Sequence, residues 1–205
     1  MPLAWRETPA KAAVIVGAPN AEAAHHLERW ATWPVMATVL VGPRKSGRSR
    51  MGRAFAAKTG GTLADDAERW DEERLFHAWN AASERRRPLL MIAERPPPAW
   101  EVELPDLRSR LSATPVVTIG PIDDAMFGTL IVHVLGERGL HAPPELVRFL
   151  LPRVERSYVS VQRIVDALDG HAFTHQARPT VPMARKALRA AGLLDDGRLP
   201  FAEAG

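Results

Sequence analysis

The residues most able to do chemistry lie between positions 42 and 49, Gly42-Pro43-Arg44-Lys45-Ser46-Gly47-Arg48-Ser49. Their spacing is G-x-x-x-x-G followed by a basic residue and a hydroxyl, the pattern of a phosphate loop. Glycines at its two ends let backbone N–H groups turn toward phosphate oxygens, and a helix starting there adds positive potential. Lys45, Ser46, Arg48 and Arg50 would line the anion, and Ser49 would contact Mg²⁺. The departure is Arg48, which stands where such a loop carries lysine. Guanidinium is a planar fork rather than a compact point charge, so it fits between β- and γ-phosphates differently.

Phosphoryl chemistry also needs an acid that holds the metal and polarises water. The candidates are Asp65 and Asp66, after the short run Thr62-Leu63-Ala64. Only sixteen residues separate Asp65 from Ser49, enough for one helix and a turn. A second strand with its own crossover helix is missing from that interval. A metal-site pair and an acidic loop between helices both remain open for these two aspartates. Nucleotide binding is expected of this site more than hydrolysis. His171 and His175 have the i, i+4 spacing of a metal pair, but no third ligand follows at a suitable distance. The triplet Arg85-Arg86-Arg87 reads as a solvated loop.

Elements able to position these groups follow from the apolar patterning. Ala12 to Val16 is a short apolar run, and Asn20 is placed to cap a helix from there to Trp30. Pro34 to Val41 runs directly into Gly42 and reads as a buried parallel strand, followed by a helix from Gly47 to Lys58 that Gly60-Gly61 ends. An amphipathic helix is predicted over Asp71 to Ser83, strands at Leu89 to Ala93 and Val116 to Ile119, and a helical turn at Leu107 to Leu111. Beyond Pro121 only helices are predicted: Ala125 to Gly136, Pro144 to Leu151, Ser157 to Asp169 and Val181 to Ala190. The expected fold is α/β with a mostly parallel, shortened sheet and a small helical domain. The expected divisions are a tail at 1–10, a nucleotide-binding core at 11–120 and a helical lid at 121–205.

Composition narrows the classes. The 205 residues include no cysteine, which removes disulfide frameworks and thiolate metal sites and suits a reducing, cytoplasmic setting. No apolar run approaches the ~20 residues that span a bilayer. Net charge is only +3, and the basic stretches are not interleaved with aromatics as a single-strand platform would be.

Several segments, in order, resemble the DnaA family of AAA+ ATPases, and within it the Hda-type regulators. Asp65-Asp66 leading to Leu75-Phe76-His77-Ala78-Trp79-Asn80 is similar to the family's acidic strand and the helix after it. Leu89 to Pro97 resembles the sensor I strand with its proline-marked end. Leu104-Pro105-Asp106-Leu107-Arg108-Ser109-Arg110-Leu111 resembles the box that carries an arginine finger. Pro121 to Leu188 is similar to the lid. The resemblance implies that Arg110 is a finger acting in a neighbouring subunit's site, that Glu94 stands at sensor I, and that a strand of Val14, Ile15 and Val16 flanks adenine. It also puts Val159 where the sensor II arginine should be, with Arg156 or Arg163 as substitutes one turn away.

The family further implies ADP or ATP with Mg²⁺ as cofactor, DnaA as partner, and the polymerase sliding clamp through an N-terminal peptide. Met1-Pro2-Leu3-Ala4-Trp5 matches only the end of that peptide and lacks its glutamine. The sequence ends after the lid, where the initiator continues into a DNA-binding domain, which favours the regulator. The implied activity is stimulation of DnaA's ATPase, with self-association open. A self-contained NTPase and a nucleotide-free interaction scaffold are the alternatives.

Overall fold

Four strands carry the first half of the chain, in the order β2-β3-β1-β4 and all parallel. The computed structural model describes residues 14–176 and 178–194. The tail at 1–10, including the peptide Met1–Trp5, lies outside the described residues. In chain order the elements are α1 (Ala21–Glu28), β1 (Ala37–Val41), α2 (Arg48–Thr59), β2 (Thr62–Ala64), α3 (Glu72–Arg85), β3 (Leu89–Ala93), α4 (Pro105–Ser112) and β4 (Val116–Thr118). Then follow α5 (Asp124–Glu137), α6 (Pro144–Leu150), α7 (Tyr158–His175) and α8 (Val181–Ala190). Two compact units result, one ending at Pro121 and the other beginning at Ile122. No described helix is long and apolar enough to cross a membrane.

The strands follow from their composition. β1 and β3 are buried at all five positions, as expected of central strands covered on both faces. Alternation then divides the helices. Val39, Val41, Leu89 and Met91 pack with Leu75 and Trp79 of α3 and with Leu107 and Leu111 of α4. Side chains alternate across a strand, so Thr38 faces the other way, where its hydroxyl meets His26 of α1 at 3.0 Å. Phe55 of α2, 1% exposed, is among the largest buried side chains; truncating such a residue to alanine costs ~3–5 kcal/mol.

β2 forms despite its weak sequence signal. It is a three-residue edge strand in register with Leu89–Met91, and only Ala64 is buried. α2 connects β1 to β2 with no strand between them, so the shortened sheet is real among the described residues. The expected strand at Val14–Val16 does not form. That segment has no strand beside it to complete a ladder. It is held instead by Asn20, whose side-chain amide donates to Ile15 O and whose Oδ1 accepts the Gly17 N–H, both at 2.9 Å. Asn20 therefore clips the preceding loop and makes no side-chain cap on α1.

The helical unit is built on α7, which packs with α5 and α8. It runs six residues beyond the predicted end at Asp169, through Gly170 to His175. Ser157 and Ser160 form a reciprocal capping box at its start. Arg138 bonds Asp166 and Asp169, at 3.1 Å to the latter, which raises its pKa above the ordinary arginine value despite burial.

Candidate functional site

Parallel strands deliver their following loops to one edge, and the carboxyl edge is where α/β folds bind ligands. Here that edge collects Gly42–Ser49 after β1, Asp65 and Asp66 after β2, and Glu94 after β3. The turn itself has the geometry of a phosphate cradle. Gly47 caps α2 at φ 90, a left-handed conformation that glycine adopts without Cβ strain, and Lys45 is also left-handed at φ 64. A Cβ on Gly42 would stand 2.9 Å from that of Ile119, so only glycine lets the chain leave β1 this closely. Ser46 N–H bonds Pro43 O at 3.2 Å, while its buried Oγ has no hydrogen-bond partner. Lys45 is exposed and Arg50 half-buried.

The two chemically decisive side chains point inward. Arg48 donates from Nη1 to Ala93 O at the end of β3. Ser49 Oγ donates to Asp65 Oδ1 at 3.1 Å. α2 is thus tied to the ends of both β3 and β2 by the residues that would hold phosphate and metal. Asp66 is exposed and left-handed at φ 53, where it begins a short turn. Glu94 is turned to solvent, its carboxylate 3.8 Å from Arg44 Nε.

Val14 and Val16 do meet α2. With Ala24, Leu27, Met51 and Ala54 they enclose a cavity of ≈ 10 Å³, room for about one water. The cradle therefore fits a phosphate group, through Ser46 Oγ and the α2 N-terminus. No group of His, Cys, Asp and Glu suited to a metal ion occurs among the described residues.

Arg110 lies elsewhere. α4 runs back from the carboxyl edge toward β4, which starts opposite Val39 midway along β1, and Arg110 stands in its last turn on the sheet face that α3 covers. The guanidinium carbon sits 5.0 Å from the centre of the Phe76 ring and 4.6 Å from that of Trp79. Trp79 Nε1 donates to Thr114 Oγ1 at 3.1 Å, and Thr114 Oγ1 donates to Arg110 O at 2.8 Å. The start of α4 is held by Glu72, whose carboxylate accepts the Glu103 and Leu104 N–H groups at 2.8 and 2.7 Å.

Glu72, Phe76, Trp79 and Thr114 were not predicted as site residues. Phe76 and Trp79, three apart on a helix, were the available signal. In the helical unit, Val159 is 41% exposed, Arg156 is paired with Asp124 at 2.6 Å, and Arg163 lines a cavity of ≈ 620 Å³ with Arg153 and Ser160.

A phosphate loop on a parallel sheet followed by a helical unit defines a P-loop domain of the AAA+ class. Domain III of the replication initiation protein DnaA from Thermotoga maritima has this fold. It superposes with a TM-score of 0.72 at 15% identity, covering 89% of this chain and 97% of that one. AMPPCP-bound DnaA from Aquifex aeolicus matches at 0.63 and 15% identity (86% and 68% covered). The RuvB Holliday junction branch migration motor of T. maritima matches at 0.61 and 11% (84% and 68% covered). Residues 129–188 match the family described as Hda, lid domain. The chain thus shares the fold of DnaA domain III, and part of its helical unit resembles the Hda lid.

Proposed function

We propose that this protein regulates replication initiation by docking on ATP-loaded DnaA and inserting Arg110 into its nucleotide site. The placement of Arg110 carries this reading. It stands over α3 on one face of the sheet, whereas α2, which the phosphate loop begins, packs against Ile92 and Leu63 on the other face. The lid match and the DnaA-like fold supply the partner class. The guanidinium would stabilise charge developing on the γ-phosphoryl oxygens with two parallel N–H donors. Such fingers are worth ~10³–10⁵ in rate in other nucleotide hydrolases.

In this scheme the ATPase is the partner's. Mg²⁺ and ADP or ATP at the protein's own loop take no step in it, and Arg48, Ser49 and Asp65 keep their internal bonds. The sliding clamp would concentrate the protein on replicating DNA. The test mixes the protein, ATP-DnaA and DNA-loaded clamp and follows phosphate release. Acceleration that Arg110→Ala reduces by ~10³ or more is expected. No acceleration, or equal acceleration by the variant, overturns it.

A second reading, an interaction scaffold that binds no nucleotide, draws on the Arg48–Ala93 bond and the ≈ 10 Å³ cavity beside Val14. Because a ligand of the native state must stabilise it, melting curves test whether the loop binds nucleotide. ADP at millimolar concentration is expected to raise the melting temperature little or not at all. A shift of several degrees would show a working nucleotide site.

A further inference from the structure

Arginines in this molecule are held by carboxylates, by backbone carbonyls as Arg48 is, or by aromatic rings as Arg74 is by Trp70. Arg138 and Arg156 are engaged by carboxylates, Arg138 through both terminal nitrogens to Asp166 and Asp169 and Arg156 through Nη1 to Asp124. Arg110 has no ion pair among the described residues. It lies over two rings of α3. The attraction comes from the ring face acting on the guanidinium plane, whereas hydrogen bonds leave a guanidinium in its plane. A ring therefore fixes the group without consuming its donors. Of the guanidinium nitrogens only Nε is both buried and unpartnered. The two terminal nitrogens, the ones that would grip phosphate oxygens, are left for a ligand.

The shelf is itself fixed. Trp79 is 8% exposed, and its indole N–H is tied to Thr114, the residue whose hydroxyl bonds the Arg110 carbonyl. One short chain of hydrogen bonds thus sets the Trp79 ring relative to the Arg110 backbone. Phe76, half-buried one turn earlier on the same face of α3, provides the second ring.

We propose that Phe76 and Trp79 are positioning residues that hold the Arg110 guanidinium, donors outward, in the free protein. The proposal rests on Arg110 being the finger. Arginine loses much rotamer freedom when it is fixed, and a shelf that fixes it before docking leaves less to lose in the transition state. The effect should appear in the maximal stimulated rate and not in the affinity for DnaA. A planar cation is needed, so Arg110→Lys loses the benefit.

The experiment has a spectroscopic arm and a kinetic arm. In the isolated wild-type protein, the Arg110 δ-methylene and Nε–H proton resonances should be shifted upfield by ring currents, and Phe76→Leu should remove much of that shift. With ATP-DnaA and loaded clamp, Phe76→Leu should lower the maximal rate ~10-fold, equivalent to ~1.4 kcal/mol, with the half-saturating concentration changed less than about twofold. Phe76→Tyr, which keeps a ring, should restore both readouts. Unshifted Arg110 resonances in the wild type overturn the shelf without any variant. So does a full maximal rate in Phe76→Leu when Arg110→Ala has lost it. Undiminished stimulation by Arg110→Ala instead removes the finger itself, a failure of the underlying reading that the proton shifts cannot mimic.

Discussion

The phosphate loop and the Arg110 shelf each present an arginine, and they treat it in opposite ways. Arg48 stands at the start of a helix facing an anion cradle, yet its guanidinium is spent on Ala93 O within the same unit. Arg110 stands on an outer helix with no matching anion, yet its terminal donors are unspent. One contact ties the phosphate loop to the end of β3, and the other holds Arg110 on α3 with no ion pair among the described residues. In the proposed scheme the motif most legible as catalytic braces the fold, and the chemistry falls to a residue whose motif is far weaker.

The largest expected effect breaks this contrast outright. Arg110→Ala should cost ~10³ or more in stimulated hydrolysis by DnaA. It should cost little stability, because a partly exposed cation–π contact is worth only ~0.5–1 kcal/mol. Arg48→Ala should do the reverse. Losing a hydrogen bond from a charged donor costs ~1.5–3 kcal/mol when buried, and Arg48 is half-exposed, so ~1–2 kcal/mol is expected in chemical denaturation. Stimulation by the folded variant should stay within about threefold of wild type. If Arg48→Ala abolishes stimulation as fully as Arg110→Ala, the protein's own loop is part of the machinery and the contrast fails.

How much of this was legible depends on the range of the interactions. β1 and β3 could be read because short runs rich in apolar residues, four of five in β1 and all five in β3, suit a strand covered on both faces. Val14–Val16 has the same local character but no neighbour to pair with, and local character carries no information about neighbours. β2 is nearly silent because an edge strand of three residues needs to bury only Ala64. The end of α7 was missed at Gly170, which lowers helix propensity without ending a helix packed on α5 and α8. Spacing singled out Gly42–Ser49 and Asp65, the family resemblance added Glu94, and the fold brings them to one edge. Neither spacing nor resemblance gave a direction for Arg48 or Glu94, since direction depends on Ala93 O and solvent. The shelf was hardest of all, since it joins Arg110 to rings more than thirty residues away.

The smallest effect separates fold from function by pH. His26 of α1 stacks on Trp33 at 4.9 Å between ring centres, and its Nε2 lies 3.0 Å from Thr38 Oγ1 on β1, the strand that feeds the phosphate loop. Burial pushes its pKa below the ordinary 6.5; Glu22 opposes that shift and His25 adds to it. With the folded value depressed, the unfolded chain binds more protons below pH 6.5, so stability is full above 6.5 and falls as the pH drops through it. The melting temperature of wild type should therefore decline between about pH 7 and about pH 5.5, and His26→Gln should flatten that slope whatever its effect on absolute stability. Since His26 braces the unit and makes no contact with the Arg110 shelf, the stimulated rate per folded molecule should be the same in wild type and His26→Gln at each pH. Unequal pH profiles of that rate would mean that the face of the sheet behind the loop communicates with Arg110, and the two regions could no longer be treated as independent.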